Sequence, residues 1–300
     1  MMDENERKAR EYIASAAKHP KGGFFRSLFS GGSDGTEERV ALYERAANCF
    51  KMAHKWQEAG DAFVQAAELS ASNKSQLDAA MHYVSASVAY RKTDPNRAIT
   101  CLTRAADIYI EMGRFTIAAR HHMTMAEIYE QELANEAEAC KHYERAADFY
   151  KGEESTSSAR KCMLKVAHYY ATSGQFEKAA RIFEEAGVSS MDNKLLHYGA
   201  KEYLMKAVIC DMNYDIVKGH NTLEKFELDY PMFCDSRECA LLKAKIVQFL
   251  QKVDEALSSE NLETYTAAVK EYDSVTRLEP WMTEMLLKLK KTLSNEEDIT

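Results

Sequence analysis

The sequence predicts an all-α protein, a twisted solenoid of tetratricopeptide-like helical hairpins with a C-terminal helical bundle. The first observation behind this prediction is a repeated pattern, in which a large apolar residue is followed three residues later by an alanine pair or its near equivalent. The pattern starts at residues 43, 63, 83, 102, 122, 143, 163 and 183. A fixed period of this kind indicates a repeat array. The second observation is composition, because 12 glycines, 4 prolines and 46% hydrophobic residues are typical of a helical chain with a substantial core.

Each repeat unit corresponds to one amphipathic helix and its turn. In the fourth unit, Leu102, Ala105, Ala106 and Tyr109 fall at helical spacing. Alanines at the centre of the apolar stripe let neighbouring backbones approach closely, and the larger side chains fill the remaining space. Two units therefore form a hairpin of about 40 residues. Stacked hairpins present one long face to a partner.

The helices follow one another in the order that this pattern sets. We predict them over residues 3–18, 36–53, 56–71, 74–92, 96–112, 114–132, 134–151, 155–173 and 175–187, and the period continues over 201–210. Asp94-Pro95 caps and starts a helix, and Gly113 and Gly174 stand at turns. The pattern fades after Pro231. We therefore assign residues 1–230 to the hairpin array and residues 231–300 to a C-terminal helical bundle with an acidic tail.

An apolar loop at residues 21–35 interrupts the array near its start. Its sequence, KGGFFRSLFSGGSDG, places four large apolar residues between glycines, whereas mobile glycine-flanked loops are ordinarily polar. In one interpretation these side chains fold back and plug the first hairpin. In the other they form an exposed apolar finger for a membrane or a partner.

Composition and motifs exclude several classes of protein. No stretch approaches the roughly 18 apolar residues of a membrane span, so we expect a soluble, cytosolic chain. The net charge of −8 argues against a nucleic-acid partner. Seven scattered cysteines without a CxxC pair predict buried free thiols. No phosphate-binding, catalytic or metal-ligand motif is present, and we predict neither an enzyme nor a cofactor.

A ladder of cations recurs at the hairpin spacing. Arg120, Lys161 and Lys201 lie 41 and 40 residues apart and therefore occupy equivalent positions on successive hairpins. Such a ladder suits a long, anionic, rod-like partner. Alternatively, an array rich in lysine and arginine aligns some of them by chance, and they form only a solvated face.

Several segments resemble the soluble NSF attachment protein family. They include GRFTIAARHH (113–122), YKGEESTSSARKCMLKVA (150–167), DSREC (235–239) and VKEYDSVTRLEPWMTEMLLKLKKT (269–292). The resemblance covers essentially the entire chain. It implies an adaptor that binds SNARE four-helix bundles of syntaxin-type and synaptobrevin-type proteins. It further implies that the adaptor recruits the hexameric ATPase NSF to disassemble them in vesicle fusion and intracellular membrane traffic.

The resemblance also implies site residues in three zones. Membrane association, peripheral on a cytoplasmic surface, is assigned to Phe24, Phe25, Leu28 and Phe29. The SNARE-facing basic residues match Arg91, Lys92, Arg114, Arg120, Lys161, Lys165, Lys201 and Arg237, a set that contains the cation ladder. The ATPase-facing residues match Asp215, Glu296, Glu297, Asp298 and Ile299.

The chain departs from the family pattern at a few positions. His54 stands where a lysine is expected, Arg120 replaces a lysine, and Ile299-Thr300 replaces Leu-Arg. The chain is also longer around residues 248–258, so acidic contacts there are not carried over. The alternative function is a tetratricopeptide-like co-chaperone receptor for short acidic peptides. That receptor would need a compact cluster of lysine, arginine and asparagine, whereas the candidate cations here spread over more than a hundred residues.

Overall fold

A computed structural model describes residues 3–18, 34–191, 197–244 and 280–295, and every regular element in these ranges is helical. The predicted all-α class is confirmed. The helices are α1 (Glu4–Lys18), α2 (Asp34–Met52), α3 (Trp56–Ser72), α4 (Gln76–Tyr90), α5 (Pro95–Glu111), α6 (Phe115–Gln131), α7 (Glu136–Gly152), α8 (Thr156–Thr172), α9 (Phe176–Met191), α10 (His197–Tyr214), α11 (Ile216–Asp229), α12 (Pro231–Cys234) and α13 (Pro280–Asn295). Residues 237–244 are also helical.

The chain divides into two compact units, Met1–Cys162 and Met163–Thr300. In the first unit each helix from α1 to α6 packs against the next one along the chain, which is the arrangement of stacked hairpins. In the second unit α10 packs against α9, α11 and α13. The boundary that we placed between residues 230 and 231 stays a prediction.

Alanine pairs lie at the centre of the helix contacts. Ala46-Ala47 of α2 and Ala105-Ala106 of α5 are buried in one core cluster, with Tyr83, Leu102 and Met125 around them. Because the alanine side chain adds almost nothing to the helix radius, the backbones pack closely and the larger residues close the gaps. The repeated alanine pairs of the sequence are therefore the repeated helix contacts of the hydrophobic core.

The turns between helices recur with the same spacing. Gly113 and Gly174 have φ angles of 69° and 81°, so the predicted glycine turns are confirmed. Other turns place a residue with a side chain in the left-handed region, with φ between 49° and 61°: His54, Lys74, Ala134 and Glu154. Such a backbone costs about 1–2 kcal/mol without glycine, and the packing of the two flanking helices offsets this cost. Asp94 caps α5 as predicted, since its Oδ1 accepts from the backbone N–H groups of Asn96 and Arg97.

The predicted end of the helix at residue 187 is wrong, because α9 continues to Met191. Gly187 lies inside this helix and is buried. A Cβ atom on it would lie 2.7 Å from the Leu204 side chain and 3.3 Å from the Leu204 backbone nitrogen. Glycine is needed there for the close approach of α10, and it does not end the helix.

The seven cysteines are free thiols, five of them buried and two half-buried, as the sequence predicts. Burial raises the pKa of Cys101 to about 11 and that of Cys239 to about 12, which keeps both protonated at neutral pH.

Candidate functional site

The direction of the helices orders the predicted basic residues of the first unit. Arg91 follows the last turn of α4, and its guanidinium pairs with the carboxylate of Glu132, which follows the last turn of α6. Since α4 and α6 are each joined to α5 by a short turn and pack against it, both run antiparallel to α5 and hence in the same direction. We call the exposed side chains of α4, of α6 and of α8 up to Cys162 the even-helix face.

Arg120 and Lys161 are brought to neighbouring positions on this face. Tyr150 is buried near the end of α7, and its burial raises the pKa of its hydroxyl, while the charge of Arg120 and a hydrogen bond with Arg120 lower it. The charge of Cys162 raises the pKa of the same hydroxyl, so Cys162 lies close to Tyr150. Lys161 is the residue before Cys162 in the sequence. Burial raises the pKa of Cys162 to about 11, with Lys161 lowering it and Glu127 of α6 raising it. Arg120 and Lys161 are both exposed.

The other predicted cations of the first unit lie at the two ends of the same helices. Lys92 is exposed just after α4, and Arg114 is exposed just before α6. A helix of the length of α6 spans about 25 Å, so Arg114 is that far from the Arg91–Glu132 pair. The structure thus places these cations along a face and does not gather them into one compact cluster.

The remaining predicted basic residues belong to the second unit. Lys165 on α8 and Lys201 on α10 are half-buried. Arg237 is exposed, and its Nε lies 3.2 Å from the carboxylate of Glu238. Their role in binding a partner stays a prediction.

Asp215 is the one predicted ATPase-facing residue within the described residues, and it has a structural task. Its Oδ1 accepts from the backbone N–H groups of Val217 and Lys218 and so caps α11. Several predicted residues lie outside the described residues: Phe24, Phe25, Leu28, Phe29, Glu296, Glu297, Asp298 and Ile299. The longer segment at 248–258 lies outside them as well.

The odd-numbered helices use their charges differently. Arg97 of α5 pairs with Asp61 of α3 at 2.6 Å, and the same two helices are joined again by the Arg104–Glu68 pair at 3.7 Å. These cations are neutralised by carboxylates of the neighbouring helix. Across the described ranges, by contrast, neither Arg120 nor Lys161 has a carboxylate within ion-pair distance. The even-helix face therefore presents two cations, Arg120 and Lys161, that no carboxylate of the described residues neutralises.

Two residues that contact cations of this face were missed by the sequence reasoning. Tyr150 holds Arg120, and Glu132 holds Arg91. Glu132 could have been found, because it lies 41 residues after Arg91, which is the spacing that aligned Arg120 with Lys161. No sequence signal identifies Tyr150, since tyrosine at this position also fits an ordinary core residue.

A buried histidine pair joins α6 to α7. The Nδ1 atoms of His122 and His142 are 3.0 Å apart, so one ring must donate and the other accept. Burial lowers the pKa of His122 to about 4, and it also lowers the pKa of His142. The positive charge of Arg145 acts in the same direction on both rings, while Glu138 raises the pKa of His142. Both rings are therefore neutral at pH 7.

This pair predicts a loss of stability on acidification. Because the folded-state pKa of His122 lies below the ordinary 6.5, the unfolded chain binds more protons between pH 6.5 and 4, and stability falls as pH drops through that window. Between pH 7 and pH 5, we expect the free energy of unfolding to fall by about 1–2 kcal/mol less in the His122→Phe variant than in wild type. Urea unfolding at both pH values measures this difference. Equal changes in unfolding free energy between the two pH values for wild type and His122→Phe would refute the assignment.

Two kinds of site are missing from the part of the chain that the structure describes. It contains no helix with the length and apolar character needed to cross a bilayer. It also contains no group of three or more histidine, cysteine or acidic side chains placed to hold a metal ion. What the face offers chemically is exposed positive charge on a rigid helical scaffold.

Comparisons with known proteins match this chain over nearly its whole length. The family model described as "Soluble NSF attachment protein, SNAP" matches residues 7–294. A beta-soluble NSF attachment protein from Bos taurus is 50% identical over 293 residues, which cover 97% of this chain and 95% of the relative. An alpha-soluble NSF attachment protein from Mus musculus is 50% identical over 92% of this chain and 90% of the relative. A probable vesicular-fusion protein sec17 homolog from Neurospora crassa is 34% identical over 98% of this chain and 96% of the relative. This chain therefore belongs to the soluble NSF attachment protein family.

Proposed function

We propose that this protein is an adaptor that binds assembled SNARE four-helix bundles through its even-helix face. Its C-terminal end then recruits the hexameric ATPase NSF and stimulates it to disassemble the bundle during vesicle fusion and membrane traffic. The names of its relatives as NSF attachment proteins support this role. Family membership also makes the chain an adaptor and not an enzyme.

The observation that carries the proposal is the exposed positive charge of Arg120 and Lys161, which no carboxylate of the described residues neutralises, on a chain of net charge −8. An acidic protein that keeps such cations on one face of a helical array suits an elongated anionic partner. Exposed ion pairs contribute only about 0–1 kcal/mol each. Several adaptor copies around one bundle are therefore needed for firm binding, with effective concentration supplying much of the affinity.

The spread of the cations disfavours the alternative receptor for short acidic peptides. A peptide clamp needs its cations within one groove, whereas Arg114 and the Arg91–Glu132 pair stand at opposite ends of helices about 25 Å long. A rod that runs across several helices meets them all. We therefore propose the bundle as the partner.

The apolar loop is proposed as a second attachment, to the membrane surface in the cytoplasm. Fully burying one large apolar side chain contributes roughly 1.5–3 kcal/mol. Partial insertion of Phe24, Phe25, Leu28 and Phe29 would then contribute about as much as a single acyl chain, which is a marginal anchor. The loop therefore assists the basic face and does not replace it.

Replacing Phe24 and Phe25 by serine tests this attachment. We expect disassembly of membrane-embedded SNARE complexes to fall about tenfold and disassembly of soluble complexes to stay within about twofold, because only the former uses insertion into lipid. The measurement is the rate of complex disassembly by the ATPase on liposomes and in solution. An equal loss on both substrates would show instead that the phenylalanines plug the first hairpin.

Co-sedimentation tests the proposed function as a whole. The purified full-length chain is mixed with an assembled soluble SNARE bundle, with and without the ATPase and a non-hydrolysable nucleotide. We expect the chain to sediment with the bundle alone, and the ATPase to join only when both are present. Binding of the ATPase to the bundle without this chain, or no binding of this chain to the bundle, would contradict the proposal.

A further inference from the structure

The even-helix face also carries exposed apolar side chains. On α4, Met81 is 47% exposed and Val88 is 58% exposed. They lie seven residues apart and hence two turns along the same side of the helix. We call this pair the α4 apolar stripe.

The stripe occupies the positions that carry charge on the neighbouring helices. Met81 stands two residues before the start of its repeat at 83, as Arg120 does before 122 and Lys161 before 163. Equivalent outward positions of successive hairpins are therefore apolar on α4 and cationic on α6 and α8. The sequence pattern alone did not reveal this change, because it followed only the charged residues.

The odd-numbered helices of the first unit show no such stripe. No large apolar side chain is exposed within α3, α5 or α7, all of which the structure describes in full. Their outward positions hold polar and charged residues such as Asp61, Glu68 and Arg104, joined across helices in ion pairs. Within α3 to α7, the exposed large apolar residues are therefore Met81 and Val88 of α4 and Phe115 at the start of α6, all on even-numbered helices.

The α4 apolar stripe is continuous with the cations of the even-helix face. Val88 lies one helical turn before the exposed Lys92. The Arg91–Glu132 ion pair holds the end of α4 beside the end of α6. A rigid partner that lies across Arg120 and Lys161 therefore also reaches α4.

We propose that the α4 apolar stripe contacts apolar side chains on the surface of the same acidic helical bundle. This inference rests on the proposed function and adds a requirement on the partner, which must present apolar residues beside its carboxylates. Burial of apolar surface stabilises the complex independently of ionic strength, whereas the contribution of exposed cations decreases as salt is added. The stripe thus maintains part of the affinity at salt concentrations that screen the charges.

The experiment replaces the apolar groups without changing charge, by combining Met81→Gln with Val88→Thr. Affinity for a soluble assembled SNARE bundle is measured at several salt concentrations. We expect a Kd about tenfold higher at every concentration, or about 1.4 kcal/mol, with an unchanged salt dependence. Replacing Arg120 and Lys161 by glutamine should instead flatten the salt dependence. The matched control, Val217→Thr with Leu228→Gln, changes two residues on α11 that are 60% and 83% exposed, and it should bind like wild type.

Three results would overturn the inference. One is an unchanged Kd with an unchanged thermal melt. The second is altered self-association of the chain by sedimentation velocity, with bundle binding intact, which would make a second copy the occupant. The third is weaker binding to lipid vesicles alone with bundle binding intact. If the Arg120 and Lys161 variant also binds normally, the proposed function fails; if that variant loses binding and the stripe variant does not, only this inference fails.

Discussion

Combining Arg120→Glu with Lys161→Glu is expected to weaken binding of the SNARE bundle about a hundredfold at physiological ionic strength. Each exposed ion pair contributes up to about 1 kcal/mol, and reversing the charge replaces attraction with repulsion of similar size. Two reversals together then cost about 3 kcal/mol, which corresponds to roughly two orders of magnitude in Kd. Titration of a labelled soluble bundle measures the change.

The prediction has a control with the same change of charge. Arg145→Glu with Lys151→Glu alters two exposed residues of α7, an odd-numbered helix, and should leave binding within about threefold. Neutral variants, Arg120→Gln with Lys161→Gln, should give a loss between wild type and the reversed pair. Because both native side chains are exposed, thermal melts of all variants should stay close to wild type. Normal bundle binding by a folded Arg120→Glu, Lys161→Glu variant would end the basic-face proposal.

The second prediction concerns the residues that follow α13. Contacts with other helices of the second unit hold α13 in place. The ring of Trp281 makes edge contacts with His168 at 4.9 Å and with Phe183 at 5.6 Å between ring centroids. Further along the helix, the Lys288 Nζ donates to the backbone oxygen of Thr172 at 3.2 Å. The helix ends at Asn295, directly before the acidic residues predicted to face the ATPase. The second unit thus fixes α13, the helix that precedes these acidic residues in the sequence.

Ile299→Ala is expected to lower stimulation of the ATPase at least tenfold while leaving SNARE binding unchanged. Burying an isoleucine side chain against a partner contributes roughly 1.5–3 kcal/mol, and alanine forfeits most of it. The readout is ATP hydrolysis at fixed bundle concentration, with bundle affinity measured in parallel.

Leu287→Ala is the matched control for this prediction. Leu287 is 52% exposed on α13, so Leu287→Ala removes a similar apolar group and leaves the tail sequence unchanged. It should stimulate normally. Wild-type stimulation by Ile299→Ala would remove this side chain from the mechanism, and a loss of bundle binding would show that its effect is not confined to the ATPase.

The repeat allowed the helices, the alanine core and the spacing of Arg120 and Lys161 to be predicted, because these depend on residues close together in the chain. One predicted boundary, the helix end at residue 187, was wrong, and glycine was not required at every turn. Gly187 lies inside a helix, where it admits Leu204, while turns at Lys74 and Ala134 adopt the left-handed backbone without glycine. A glycine permits several conformations, and packing with other helices selects among them.

The residues alone establish the all-α class, the hairpin period and the family, since a helical period is a local property that each unit repeats. They do not establish which cations remain unpaired, because neutralisation depends on contacts between helices. Arg97 meets Asp61 across 36 residues, whereas Arg120 meets Tyr150 and remains positive on the surface. The same holds for His122, whose partner lies 20 residues away, and for Met81, whose exposure follows from what packs beside α4. Burial and charge pairing arise when the helices come together, and for that reason the binding face emerges only with the three-dimensional fold.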